Sequence, residues 1–221
     1  MKRLVSLVIF ASVFFLQGCA TYYSVRINGF SDARESGGLI PPGASFYIME
    51  NKNSKNPIFE KEISLKIGKL LVQKGYRLES YDNADMILSF VYSISSGRNV
   101  SDIRPVYQPQ ETGTIRTIKP NGSVSTSFVT FPGYTQYYPY KVTVYTSSLI
   151  LEVSDAASVK EAREEKKLWI GEIASTSENA DLRDTINYLL VACFQYFGEN
   201  TSKSVSLNIS GSDARIKDLS H

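Results

Sequence analysis

Few side chains in this sequence can act as nucleophiles, metal ligands or proton carriers near neutral pH. The 221 residues hold two cysteines, Cys19 and Cys193, and one histidine, His221. A Ser-His-Asp or Cys-His nucleophile needs an imidazole held in the folded body, and zinc is bound by clusters of imidazoles and thiolates. Neither set can be built from these residues, so no metal and no dissociable cofactor is expected. Carboxylate-only hydrolysis needs two acids facing one bond. The chain has 22 Asp and Glu residues, but no spacing marks two of them as partners, and an enzyme is not expected. Cys193 falls on the apolar face of a helical segment and reads as a buried small hydrophobe. A reactive thiol would sit in electropositive, partly exposed surroundings.

Cys19 stands in a different setting. Lys2 and Arg3 precede an apolar run from Leu4 to Leu16 that is too short to span a bilayer, which takes about 20 apolar residues, and suits a secretory signal. The run ends in Leu16-Gln17-Gly18-Cys19, which resembles the bacterial lipobox, with Gln17 a less usual middle residue. The Cys19 thiol can take a diacylglyceryl group as a thioether, and cleavage after Gly18 frees an α-amine for a further acyl chain such as palmitate. One acyl chain anchors marginally and two or more hold stably. Residues 1–18 are therefore expected to be a cleaved signal peptide and Cys19 a lipidated N-terminus. By resemblance to Gram-negative lipoproteins, Ala20 in place of aspartate implies the outer membrane, with the domain on its periplasmic face.

Cleavage removes Lys2, Arg3 and no acid, which leaves 22 basic and 22 acidic residues. A balanced chain lacks the Lys/Arg excess that neutralises phosphates, which argues against nucleic acid. The expected partners are the membrane, through the lipid, and an envelope protein.

The elements that must position any site follow from periodicity. Residues 19–44 read as lipidated N-terminus and tether, with Tyr22–Ile27 able to pair as a short strand. Ser45–Glu50 reads as a strand. A helix follows, with Asn56 as N-cap, Pro57 in its first turn and Gly75 at its end. Phe59, Ile63, Ile67, Leu70 and Leu71 form its apolar stripe, and Glu60, Lys61, Lys66 and Lys69 its wet face. Strands are expected at Tyr76–Leu78 and Asp85–Ile94. From about 98 to 140 the composition turns to Ser, Thr, Pro and Tyr. Pro120-Asn121-Gly122 is a hairpin tip there, with arms at 114–118 and 124–131. Lys141–Val153 and Leu168–Ala174 read as a long hairpin, Leu182–Phe197 as the last helix, and residues 203–210 as an edge strand. Beyond Gly211 a flexible tail is expected, so that a single domain spans 45–210.

Four stretches carry a family resemblance: Pro42-Gly43-Ala44-Ser45-Phe46, Lys74-Gly75-Tyr76-Arg77, Ala84-Asp85-Met86-Ile87-Leu88, and Leu149–Val153 with Leu168-Trp169-Ile170-Gly171. In this order, over about 45–198, the chain resembles the bacterial lipoprotein family of domain of unknown function 4136. The resemblance implies an α+β domain, an antiparallel sheet with two helices packed on one face, and it carries no catalytic residues over. Trp169 reads first as a core side chain. Tyr134, Tyr137, Tyr138 and Tyr140 are the candidate partner contacts, since tyrosine joins a rigid apolar ring to a polar tip. A protein-binding or envelope-maintenance module is the expectation, with a glycan or peptidoglycan binding module as the alternative.

Overall fold

The structure, a computed structural model, describes residues 22–31, 40–161 and 165–220. The signal segment and Cys19 lie outside the described residues. The chain divides into two compact units, one formed up to Gly97 and from Tyr145 onward, the other by Arg98–Val144.

The first unit is α+β. Its strands are β1 (Tyr22–Ser31), β2 (Ser45–Met49), β3 (Arg77–Leu78), β4 (Met86–Ile94), the later half of β8 (Tyr134–Asp155), β9 (Lys167–Ser177) and β10 (Val205–Ser210). They are ordered β10-β1-β9-β8-β4-β2-β3. The joints from β10 to β4 are antiparallel, as expected, but β2 pairs with β3 and β4 in parallel. The reason is α1 (Pro57–Gln73), which carries the chain from the end of β2 back to its start and so makes a βαβ unit.

Helix α1 ends as its sequence dictates. Asn56 Oδ1 accepts the Phe59 N–H at 3.0 Å, and Pro57 opens the first turn, where no N–H is needed. At the far end Gly75 takes φ +87°. The Tyr76 N–H then reaches Leu71 O at 3.0 Å and the Gly75 N–H reaches Val72 O at 2.9 Å, the paired bonds of a Schellman motif. Helix α3 (Leu182–Gln195) is capped by Asp181, whose Oδ1 accepts the Arg183 N–H at 2.8 Å.

Both helices close on one face of the sheet. Ile63, Ile67 and Leu71 of α1 and Ile186, Leu189, Leu190 and Cys193 of α3 share a core with Val25, Ile27, Phe46, Leu88, Leu149, Leu151, Val153 and Ile173. Leu149, Leu151 and Val153 alternate on β8 and are wholly buried; each such side chain contributes about 1.5–3 kcal/mol.

Three expectations change. The short strand expected at Tyr22–Ile27 within the tether is present but longer and integral to the sheet: Tyr22–Ser31 is an inner strand with Val25 and Ile27 fully buried. The tail beyond Gly211 holds α4 (Ala214–Leu219), capped by Asp213 and held by buried Ile216 and Leu219 and a 2.8 Å Lys69–Asp218 ion pair. Glu60 is not on the wet face of α1: it is 3 % exposed, and its Oε1 accepts the Asn51 N–H at 2.9 Å. The connection from β8 to β9 begins with a short helix, α2 (Ala156–Lys160), capped by Asp155.

The second unit is a β-ribbon. β5 (Arg98–Gln108) pairs with the first half of β8, and β6 (Glu111–Ile118) pairs with β7 (Val124–Phe131), both antiparallel. The expected hairpin arms are present, the first longer than expected, and the flanking stretches 98–108 and 134–144, which the sequence did not pair with one another, pair as well. Gln108↔Tyr134 and Glu111↔Phe131 continue one register, so the two ladders are halves of one long hairpin. Its interruption falls at Pro109-Gln110 opposite Pro132-Gly133, where proline has no N–H to give. From Arg98 to Ile118 such an arm extends about 70 Å at the ~3.4 Å rise of a strand. At the tip, the Gly122 N–H bonds Lys119 O and the Lys119 N–H bonds Ser123 O, both at 2.9 Å, with Gly122 at φ +78°. This is a three-residue turn closed by a glycine bulge.

Candidate functional site

The ribbon places the four candidate tyrosines but does not gather them. All lie on β8 within Tyr134–Tyr140 and all are exposed, from 39 % for Tyr140 to 66 % for Tyr137. Side chains alternate along a strand, so Tyr134, Tyr138 and Tyr140 share one face and Tyr137 stands on the other. On the first face the Tyr138 hydroxyl donates to Gln136 Oε1 at 2.7 Å and the Tyr140 hydroxyl to Asp102 Oδ2 at 3.1 Å. Arg104 faces Tyr138 across the ladder. On the second face Tyr137 stands opposite Pro105, flanked by Ile103 and Tyr107, which are 62 % and 65 % exposed.

Apolar exposure continues to the tip. Ile118, Val124 and Phe128 share one side of the β6–β7 half, and Ile115 and Phe131 the other, all of them exposed. No residue of Arg98–Val144 is buried. A β-ribbon normally hides one face in a core, and this one shows apolar side chains on both.

Other residues singled out by the sequence are structural. Trp169 is 1 % exposed, packs against Phe197 at 4.9 Å between ring centroids, and donates its indole N–H to Glu199 O at 3.0 Å. Gly171, two residues on and on the same face, leaves the space that the indole ring fills. Cys193 is fully buried, and burial pushes its thiol pKa far above the ordinary range, so it is held as a neutral thiol. Asp85 clamps the parallel pair β2–β4. Its Oδ2 accepts the Ser45 N–H at 2.9 Å and the Ser45 hydroxyl at 2.6 Å, while the Asp85 N–H returns a bond to Ser45 Oγ at 3.0 Å. Those bonds hold the Asp85 carboxyl below the usual aspartate value.

A constellation that sequence reasoning missed lies among β1, α1, α3 and α4. It is a cavity of about 470 Å³. Tyr23 and Tyr188 stack at 4.0 Å between centroids and 22° between planes. Glu62 binds two cations, Lys66 at 2.8 Å and Arg183 at 2.7 Å. Burial works to raise the Glu62 pKa, but the bonds from Lys66 and Arg183 outweigh it and the net shift is downward, so the group stays ionised. Asn187, 7 % exposed, also lines the cavity; among the described residues its Oδ1 is the one buried side-chain polar atom without a hydrogen-bond partner. A larger cavity, about 630 Å³, is lined by Tyr47, Met49, Tyr81 and Val91 among others, and none of its lining residues is a buried polar one.

Among the described residues, no group of three or more His, Cys, Asp or Glu side chains could hold a metal ion, and no helix is long and apolar enough to cross a membrane.

The model of a domain of unknown function, DUF4136, matches residues 33–197. No curated protein matches the chain. Among solved structures, the chain is similar to a PDZ domain protein from Parabacteroides distasonis ATCC 8503, with 14 % identity and a TM-score of 0.45. That match covers 92 % of this chain and 42 % of the other, so the chain spans less than half the length of that protein. A likeness of this degree carries no argument about function.

Proposed function

The chain belongs to the DUF4136 family, and from that premise we propose that it is a lipid-anchored, non-enzymatic protein-binding module of the bacterial envelope. In this reading Cys19 carries the lipid, the outer membrane holds the anchor, the domain lies on the periplasmic side, and the ribbon Arg98–Val144 is the contact element. The lipobox-like Leu16–Cys19 supports the anchor.

One observation carries the binding role: the ribbon presents Ile103, Tyr107, Phe128, Phe131, Tyr134 and Tyr137 to solvent while burying nothing. A two-stranded hairpin alone is marginal in water, and contiguous exposed apolar surface marks an interaction site. A protein partner that covers the ribbon resolves both. Glycan binding by the four tyrosines is the weaker reading, because three rings on one face and one on the other do not form a single stacking platform. A hydrolase would need a carboxyl held protonated as general acid. The carboxylates with resolved shifts, Glu62, Asp85 and Asp213, are all lowered.

The test is in-cell crosslinking of the tagged, lipidated protein from exposed position 135, two residues from Tyr137 on the same face of the strand, followed by affinity capture and mass spectrometry. A Tyr137→Ala, Tyr138→Ala variant and a crosslinker on exposed Leu65 of α1 serve as comparisons. A stoichiometric protein captured from the ribbon, absent from the Leu65 probe and lost in the double variant, supports the reading. Identical captured sets in all three overturn it.

A further inference from the structure

The distal half of the ribbon has one guarded edge and one open edge. At the tip the Lys119 N–H bonds Ser123 O, so Lys119 and Ser123 are a bonded pair. Antiparallel ladders bond at every second pair, and in the observed register Ser125, Ser127, Val129 and Phe131 of β7 therefore turn their backbone groups toward β6. Val124, Thr126, Phe128 and Thr130 turn theirs outward, where no further strand lies, because β6 and β7 form a sheet of two strands.

An open edge invites another chain, and proteins blunt such edges with charge, proline or a bulge. The proximal half of the ribbon carries these devices: Arg104, Pro105, Pro139 and Lys141 stand along its strands. β6 has Arg116 among its outward-bonding residues. β7, Val124-Ser125-Thr126-Ser127-Phe128-Val129-Thr130-Phe131, has no charge, no proline and no bulge. Its Phe128 ring is 79 % exposed.

The occupant that fits this edge is a second copy. Charge selects foreign partners and keeps like strands apart, and β7 has none to do either. Two β7 strands paired antiparallel about Ser127 set Val124 opposite Thr130 and Thr126 opposite Phe128, so every outward-bonding residue of both copies is paired. Phe128 then has Thr126 of the other copy directly across, with Val124 and Phe128 of that copy on the diagonals, within reach of an aromatic ring. A lone hairpin is marginal in water and three or more strands are needed; this pairing makes four, in the order β6-β7-β7-β6. Arg116 lies on both outer edges, which guards them against further strands, so the assembly closes at two.

We propose that the protein forms a two-fold dimer by antiparallel pairing of Val124–Phe131 with the same strand of a second copy. The dimer rests on the reading of the ribbon as the contact element, and it leaves the tyrosine half to another protein.

The experiment uses the full-length lipidated protein in detergent. Cys193 is buried and Cys19 carries the proposed lipid, so an introduced cysteine is the one exposed thiol, and oxidised wild type is the control. In the dimer Ser127 faces Ser127 of the other copy across a pair without hydrogen bonds, at about 4.5 Å between Cα atoms, a span that a disulfide bridges. Ser125 lies about 14 Å from its counterpart, four residues along the strand. Under copper-phenanthroline oxidation Ser127→Cys should form a linked dimer at least about tenfold faster than Ser125→Cys, and wild type should form none. Thr126→Pro removes one outward N–H and no bond to β6. It should convert a wild-type dimer, seen as twice the protomer mass in sedimentation equilibrium, into a monomer with unchanged circular dichroism. The cysteine pair keeps the test readable should Thr126→Pro disturb the hairpin. A wild-type monomer, equal rates for the two cysteines, or a dimer that survives Thr126→Pro would overturn the proposal. Capture from position 135 separates the two readings. A monomer that still captures a stoichiometric foreign protein overturns the dimer alone, and a dimer that captures only itself supports the dimer and overturns the foreign partner.

Discussion

Replacement of Gly171 by alanine tests how the core around Trp169 is built. A Cβ at position 171 would meet the six-membered ring of the Trp169 indole, with Cζ2 at 2.9 Å and Cζ3 at 3.1 Å. The far end of a flexible chain could give way, but this ring is pinned. It packs on Phe197 at 4.9 Å, and its N–H is bound to Glu199 O at 3.0 Å. The indole must therefore swing or the strand must shift. Overpacking strain of this kind costs about 1–3 kcal/mol, and a buried N–H pulled from its carbonyl costs about 1–3 kcal/mol more. A loss of about 2–6 kcal/mol is expected, which for a chain of this size lowers Tm by about 4–24 °C. Trp169 is the only tryptophan, so its fluorescence reports on the site alone. Urea unfolding followed by this signal should show an earlier midpoint, and the native emission should move to longer wavelength. A variant that loses less than about 0.5 kcal/mol with unshifted emission would refute the claim that Gly171 exists to seat the ring.

Three further outcomes follow from the same structure. Cys19→Ala should abolish incorporation of labelled palmitate and release the protein from the membrane fraction, while retained label would place the lipid elsewhere. Cys193 should resist a thiol reagent in the native state and react at the rate of unfolding, since its thiol is buried and held neutral; fast native labelling would contradict its place in the core. The Asp85 pKa is lower in the folded state than in the unfolded chain. Its contribution to stability is therefore present above the ordinary aspartate pKa and fades as pH falls through the folded value. Ser45→Ala removes the hydroxyl part of that clamp, so the stability gap between wild type and variant should narrow from neutral pH to about pH 3; a gap constant with pH would show that Asp85 ionisation is irrelevant to it.

Much of the first unit was legible because its signals are local. Asn56, Pro57 and Gly75 bracket α1 within one stretch of chain, and the alternation of Leu149, Leu151 and Val153 fixes which face of β8 is buried. Strand direction has no such signal: the apolar period of β2 is the same in a parallel or an antiparallel pair, and only the return path of α1 decides it. α4 escaped notice because its six residues hold just two buried side chains. Glu60 looked like a surface acid because the Asn51 N–H it accepts from lies in the preceding loop. In the ribbon the turn chemistry at Asn121-Gly122 was plain, but Pro105 and Pro139 masked two strands that tolerate them on open edges. The cavity was invisible for a different reason. Tyr23 and Tyr188 stack across most of the length of the chain, and neither residue differs in its own neighbourhood from an ordinary half-buried tyrosine.

The position of β1 bears on how the molecule takes a mechanical load. Its first residue, Tyr22, follows the proposed anchor at Cys19 so closely that the linker can extend only about 10 Å. The strand is no edge: Tyr22–Ile27 is bonded to β10 and Val25–Ser31 to β9. Tension applied at that proposed anchor would reach first Tyr22–Ser24, bonded to β10, and then Val25–Ile27, bonded to β10 and β9 together, so the strand leaves the sheet only when both ladders give way. A chain fastened to a membrane by its end keeps its fold under traction when the first strand it reaches is an inner one.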